Sequence, residues 1–260
     1  MKTIVDLNSD IGESFGNYVL GLDKEVIKHV TSVNIACGWH AGDPVIMEDT
    51  VKEAVKNNVS IGAHPGYPDL MGFGRRNMDI SPKEARAYMI YQLGALNAFA
   101  AANDIKIQHM KLHGAFYNTA SGNPKLAEEV INGILDVDKN IILLALSGSY
   151  IARRAQEKGL RVAQEVFADR AYNSDGTLVS RKLPGAVIHD SKEAISRIKK
   201  MVLEGKINTI DGKEIPIVAD SICVHGDNPE AVNFVREIRD SLISDGIEVK
   251  NLNEFIKGGI

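Results

Sequence analysis

Short β-branched runs alternate with longer stretches of helical period along almost the whole chain. The runs fall at 3–7, 31–36, 59–63, 107–111, 141–146, 161–165 and 220–224, with a short last one at 247–249. Between them lie amphipathic helix patterns. Leu126, Val130, Ile131, Ile134 and Leu135 recur at three- and four-residue steps, as do Val232, Val235, Ile238 and Leu242. Ser81-Pro82-Lys83-Glu84 sets an N-cap, a first-turn proline and a third-position glutamate in order, which starts a helix. Asn123-Pro124 and Asp227-Asn228-Pro229 read as two further starts. Such alternation implies a parallel sheet with helical crossovers. Seven or eight units favour a closed barrel over an open doubly wound sheet, and no GxGxxG follows the first run. The expectation is one α/β domain over residues 1–260, a usual length for such a barrel. Two stretches break the rhythm. Residues 166–185 read as a long polar loop, and 206–216, centred on Asp211-Gly212, as a small hairpin.

Composition narrows the setting. The net charge is −4 with no block of like charge, so a nucleic-acid footprint is not expected. No apolar run approaches the roughly 18 residues of a membrane span, and the first residues form no apolar signal region. Cys37 and Cys223 are far apart and outside any CxxC pair, which suits a reducing compartment. A cytoplasmic protein without membrane or nucleic-acid partners is the expectation.

Polar residues follow the strand runs, segment after segment. Asp6, Asn8, Asp10 and Glu13 follow the first; Cys37, His40 and Asp43 the second; His64, Arg75 and Arg76 the third. Lys111 and His113 end the fourth, Glu165 with Asp169, Arg170 and Tyr172 the sixth, and His225 the seventh. In a parallel barrel all strand C-termini open on one face, and that face carries the active site. Four of the seven histidines, His40, His64, His113 and His225, sit just past strand ends.

Residue types suggest roles. Asp6, Asn8 and Asp10 share a strand face, and paired carboxylates suit acid–base work or a hard metal. Asp10 and Glu13 lie furthest toward the open end. His64, on the rigid His64-Pro65-Gly66 turn, is the first candidate for a ligand-facing imidazole. His40 and Asp43 precede a helix start whose N–H groups could bind an anion. Arg75 offers a fork for a carboxylate or phosphate. Lys111, costly to bury without a negative partner, reads as a charge stabiliser beside His113. The expected catalytic set is therefore Asp10, Glu13, His64, Lys111 and His113. The expected substrate-binding set is Asn8, His40, Asp43, Arg75, Glu165, Arg170 and His225. A metal, if present, would fall to Asp10, His64 and His113, although no HxxxH or HExxH pair exists. The bland alternatives are strand-end caps, a solvated basic loop and a buried hydrophobic cysteine at Cys37. There is no GxxxxGK[ST] phosphate cradle and no GxSxG elbow.

Six segments together resemble the LamB/YcsF family, the A subunits of 5-oxoprolinase. They are DLNSDIGE at 6–13, NIACGWHAGD at 34–43, IGAHPGYPDLMGFGRR at 61–76, KLHGAFYN at 111–118, EVFADRAY at 165–172 and ICVHGD at 222–227. Trp39 stands where phenylalanine would be expected. The resemblance implies a distorted TIM-like (β/α) barrel of seven or eight strands, similar to glycoside hydrolase and polysaccharide deacetylase barrels. It implies cleavage of 5-oxo-L-proline to L-glutamate with hydrolysis of ATP, a divalent metal such as Mg with the nucleotide, and B and C partner subunits. Two other functions stay open on the residues alone. One is a stand-alone metal-dependent deacetylase-like hydrolase, and the other a non-catalytic subunit that binds a lactam or sugar.

Overall fold

The computed structural model describes residues 3–225 and 229–258. Its strands are β1 (Ile4–Ile11), β2 (Ser32–Ala36), β3 (Ser60–His64), β4 (His109–Met110), β5 (Ile142–Leu146), β6 (Val162–Phe167), β7 (Lys206–Asn208), β8 (Glu214–Pro216), β9 (Ser221–Val224) and β10 (Glu248–Val249). The helices are α1 (Asp23–Val26), α2 (Pro44–Lys56), α3 (Pro82–Ala102), α4 (Gly114–Gly122), α5 (Pro124–Val137), α6 (Tyr150–Glu157), α7 (Ser191–Glu204) and α8 (Pro229–Ser244).

Seven parallel strands close a barrel in the order β1-β2-β3-β4-β5-β6-β9, with β9 returning to β1. The last run is not an eighth stave. β10 pairs only with Ile4 and Val5 of β1, while Asp6–Ile11 serve β9 and β2. β7 and β8 form the expected hairpin. The helix starts at 81 and 123 hold: Ser81 and Glu84 make a reciprocal capping box, and Asn123 caps α5. The start at Asp227-Asn228 lies outside the described residues, though Pro229 opens α8.

Register decides which residues face the interior. Outward positions such as Leu7, Val33, Ile61 and Ile222 join the main apolar core under the helices. The inward positions Asp6, Asn8, Asp10, Ser32, Asn34 and Ser221 are polar. Ile142, Leu144 and Ala163 share the inward face with His109. Leu252, Phe255 and Ile256 pack on them and close the end opposite the mouth. With seven strands the bore is narrow. A Cβ at Gly62 would overlap the His109 ring, which fills the space that the neighbouring strand leaves open.

Residues 166–185 are not simply a polar loop. Arg170 bridges to Val187 and Tyr172 to Leu178, around a small core of Ala171, Val179 and Ala186. No helix among the described residues is long and apolar enough to cross a membrane.

Candidate active site

The inward face of β1 runs as a ladder from floor to mouth. At the floor, Asp6 accepts hydrogen bonds from Thr31 Oγ1 (2.6 Å), Ser32 Oγ (2.8 Å) and Ser221 Oγ (2.5 Å). Burial raises its carboxyl to about 6 despite these donors. One rung up, Asn8 donates to Ser221 Oγ (2.7 Å) and accepts from Asn34 Nδ2 (2.7 Å). Asn34 also donates to Asp10 Oδ1 (2.8 Å), and its carbonyl oxygen lies 2.7 Å from His109 Nε2. Burial drives His109 down to about 3, so its ring is neutral and Nε2–H is the donor.

Asp10 tops the ladder. Burial works against its charge, but His64 and Lys111 outweigh it and hold the carboxyl well below the usual range. The Lys111 ammonium lies 3.0 Å from Asp10 Oδ1, 2.7 Å from Glu165 Oε1 and 3.2 Å from Cys223 Sγ. Tyr117 donates to Glu165 Oε2 at 2.7 Å. Lys111 thus has the negative partner that its burial demands. Its ammonium already faces Asp10, Asn8, Glu165 and Cys223. Glu165 is fully buried and serves the same knot.

Three imidazoles stand above. His40 and His113 stack with centroids 3.6 Å apart, and His64 meets both edge-on. Gly74 makes this crowding feasible: it takes φ +61, and a Cβ there would press on both stacked histidines. Glu13 Oε1 lies 3.2 Å from His40 Nε2 and 3.6 Å from His113 Nδ1. Burial raises the Glu13 carboxyl, and burial lowers His40 and His113 well below the usual imidazole value.

Hydrogen bonding fixes two of the rings. His64 Nδ1 faces the Lys111 carbonyl at 2.8 Å, and His113 Nε2 faces the Phe73 carbonyl at 2.8 Å. A carbonyl only accepts, so both these nitrogens carry protons. His64 Nε2 and His113 Nδ1 then face each other 3.0 Å apart, a distance that needs a proton or a cation between them. Asp10 Oδ2, 3.3 Å from His64 Nε2, and Glu13 supply balancing charge. Backbone carbonyls orienting both imidazoles are also what a metal site uses as outer support. Glu13, His40, His64 and His113 all offer ligand atoms within 4.8 Å of one another, as do Asp10, Cys223 and His225. The donor set therefore fits a divalent ion of the zinc class. It differs from the set expected from sequence: Glu13 and His40 join His64 and His113, and Asp10 falls in the other group, with Cys223 and His225.

The site opens through a cavity of about 320 Å³ lined by Asp10, Glu13, Leu20, Val26, Phe73 and Arg75, among others. Arg75 lies over the Phe73 ring at 4.9 Å. Opposite, His225 Nδ1 pairs with Asp169 Oδ2 at 3.1 Å. Burial opposes its protonation, but Asp169 outweighs burial and raises His225 well above the ordinary value.

Two expectations change, and Cys37 is the buried cysteine that its sequence suggested. The Asp43 carboxylate caps α2 through the Val45 and Ile46 N–H groups and also accepts from Gly16 N–H. It occupies the helix terminus that was expected to bind an anion. Arg170 is buried and donates to the Val179 and Ala186 carbonyls, so it braces the 166–185 segment. Cys37 is buried with its thiol pushed up to about 12, a packing residue with no nucleophilic character. Arg76 pairs with Asp69. Sequence reading missed Asn34, His109 and Tyr117. The 109-111-113 alternation was a usable signal for His109; nothing comparable marks the other two.

Fold and site together define a closed (β/α) barrel with a convergent carboxylate–imidazole centre at the C-terminal mouth of its strands. The chain belongs to the LamB/YcsF family, whose pattern matches residues 5–257. It is 64% identical over 257 residues to the 5-oxoprolinase A subunit of Fusobacterium nucleatum, covering 99% of this chain and 100% of that one. It is also similar to the crystal structure of the lactam utilization protein from Thermus thermophilus, with a TM-score of 0.90 and 42% identity over 95% of this chain and 99% of that one. A family 4 carbohydrate esterase from Streptomyces lividans shares the fold, with a TM-score of 0.52 and 9% identity over 99% of this chain and 97% of that one.

Proposed function

We propose that this chain is the A component of an ATP-dependent 5-oxoprolinase, acting with B and C subunits in the cytosol to open 5-oxo-L-proline to L-glutamate. The observation that carries the reading is the meeting of Asp10, Glu13, His64 and His113 beneath a small open cavity with Arg75 at its lip. The names of the full-length relatives supply the substrate.

A five-membered lactam resists hydrolysis because the amide is resonance-stabilised and the ring recloses easily. Transfer of a phosphoryl group from ATP to the amide oxygen removes that resonance and leaves an electrophilic carbon. Two waters are consumed: one opens the ring as the C–N bond breaks, and the other releases phosphate to leave the carboxylate. Asp10, kept ionised, orients a water or the ring N–H. Glu13, whose carboxyl is raised by burial, is suited to take and return a proton. Arg75 anchors the substrate carboxylate, and the His225–Asp169 pair places a second positive group across the mouth. Lys111, Asn34 and Glu165 hold Asp10 in position. His40, His64 and His113, with Glu13 beside them, would hold a divalent ion, which would supply Lewis-acid polarisation of the carbonyl.

The test is glutamate release from 5-oxoproline with ATP, by this chain alone and with purified B and C subunits. Activity confined to the mixture supports the proposal; glutamate release that ignores ATP rejects it. The facing nitrogens of His64 and His113 also favour a second reading, a stand-alone metal-dependent hydrolase. That reading requires a stoichiometric metal and hydrolysis of amide or acetyl substrates by this chain alone.

A further inference from the structure

Five exposed apolar side chains of the mouth gather on one arc. Tyr18 (75% exposed) and Val19 (84%) lie on the loop after β1, Val45 opens α2 after β2, and Leu70 and Met71 (96%) lie on the loop after β3. These three strands are neighbours in the barrel, and Gly16 N–H bonds to Asp43, joining the first loop to the start of α2. Residues 14–22 carry no charge, and residues 65–76 carry only Asp69, Arg75 and Arg76. The segment after β6 differs, with Asp169, Arg170, Asp175, Arg181 and Lys182. Single exposed apolar residues are ordinary, but a gathered set rimmed by polar groups marks an interaction surface. Tyr, Met and Arg without Lys is the composition of an interface centre. Leu20 and Arg75 belong both to this arc and to the wall of the cavity, so whatever covers the arc also reaches the cavity entrance.

We propose that this arc is the docking surface for another component of the oxoprolinase, one that presents apolar contact residues and seats over the cavity. The inference rests on the proposed function, and the occupant follows from the naming of full-length relatives as one lettered component of 5-oxoprolinase, the A subunit. A second component seated on the arc reaches the cavity entrance, because Leu20 and Arg75 belong to both.

The test uses the full chain and purified B and C subunits, with affinity measured by calorimetry. Tyr18→Ser with Val19→Ser and Met71→Ser weakens binding at least about tenfold while the melting temperature of the isolated chain stays within about 2 °C. Leu183→Ser, at a 56% exposed site on the polar segment, leaves affinity unchanged. Undiminished affinity in the triple variant overturns the proposal. So does an absence of binding by the wild-type chain, or self-association that the triple variant abolishes, which would make the occupant a second copy. A wild-type mixture that binds through the arc yet releases no glutamate upholds the docking surface and rejects the function.

Discussion

Asp6 and Asp10 stand four residues apart on the same face of one strand, and the protein treats them in opposite ways. Asp6 is walled by three hydroxyls with no cation beside it, and its carboxyl rises to about 6. Asp10 is as much a part of the barrel lining, but His64 and Lys111 hold it ionised. The difference separates a floor built to close the barrel from a mouth built to hold charge in readiness. Asn8 and Asn34 join the two regions by hydrogen bonds whose directions are fixed by His109 at one end and Ser221 at the other. This is a positioning scaffold, since an amide donor keeps its proton.

If that division is right, substitutions above Asn8 lower turnover and those below lower stability. The largest effect is expected for Asp10→Asn and His64→Ala, which lower kcat of the reconstituted complex by about 10⁴-fold. Unchanged turnover in either would erase the distinction. Lys111→Met comes next, because it strands Asp10 and Glu165 without their cation. Urea unfolding should show a loss of about 3–5 kcal/mol, which would place Lys111 in both regions. Asp6 gives a pH signature. Its folded value exceeds its unfolded one, so its contribution is complete below about pH 4 and is lost as pH rises through 6. The loss is on the order of 3 kcal/mol, read by chemical unfolding at a series of pH values and flattened in Asp6→Asn. The smallest effect is at the lip: Arg75→Ala raises KM for 5-oxoproline about tenfold with kcat within about twofold. An equal fall in kcat would move Arg75 from anchoring into the chemistry.

Much of this is legible in the chain because β-branched runs and helix starts are local signals. All seven staves are marked by such runs. β1 extends to Ile11, well past its apolar run, and the alternation of Asp6, Asn8 and Asp10 is the local sign of it, while their partners come from β2 and β9. The eighth run misleads for a related reason: β10 is strand-like, but its place beside Ile4 and Val5 depends on how the barrel closes. At the site, His40, His64 and His113 can be picked out as strand-end imidazoles. Asp43 and Arg170 cannot be separated from ligand-binding residues, since capping and bracing use the same polar groups as recognition. The Tyr117–Glu165 bond joins α4 to β6 across 48 positions, and no local pattern announces it.

The His109 ring occupies the place that a side chain at residue 62 would need. The two positions are therefore inherited as one character. A lineage could enlarge residue 62 only after shrinking residue 109, and each intermediate would carry a clash or a void. A mutant library that varies either position alone should return the parental residue, whereas paired randomisation should uncover new combinations.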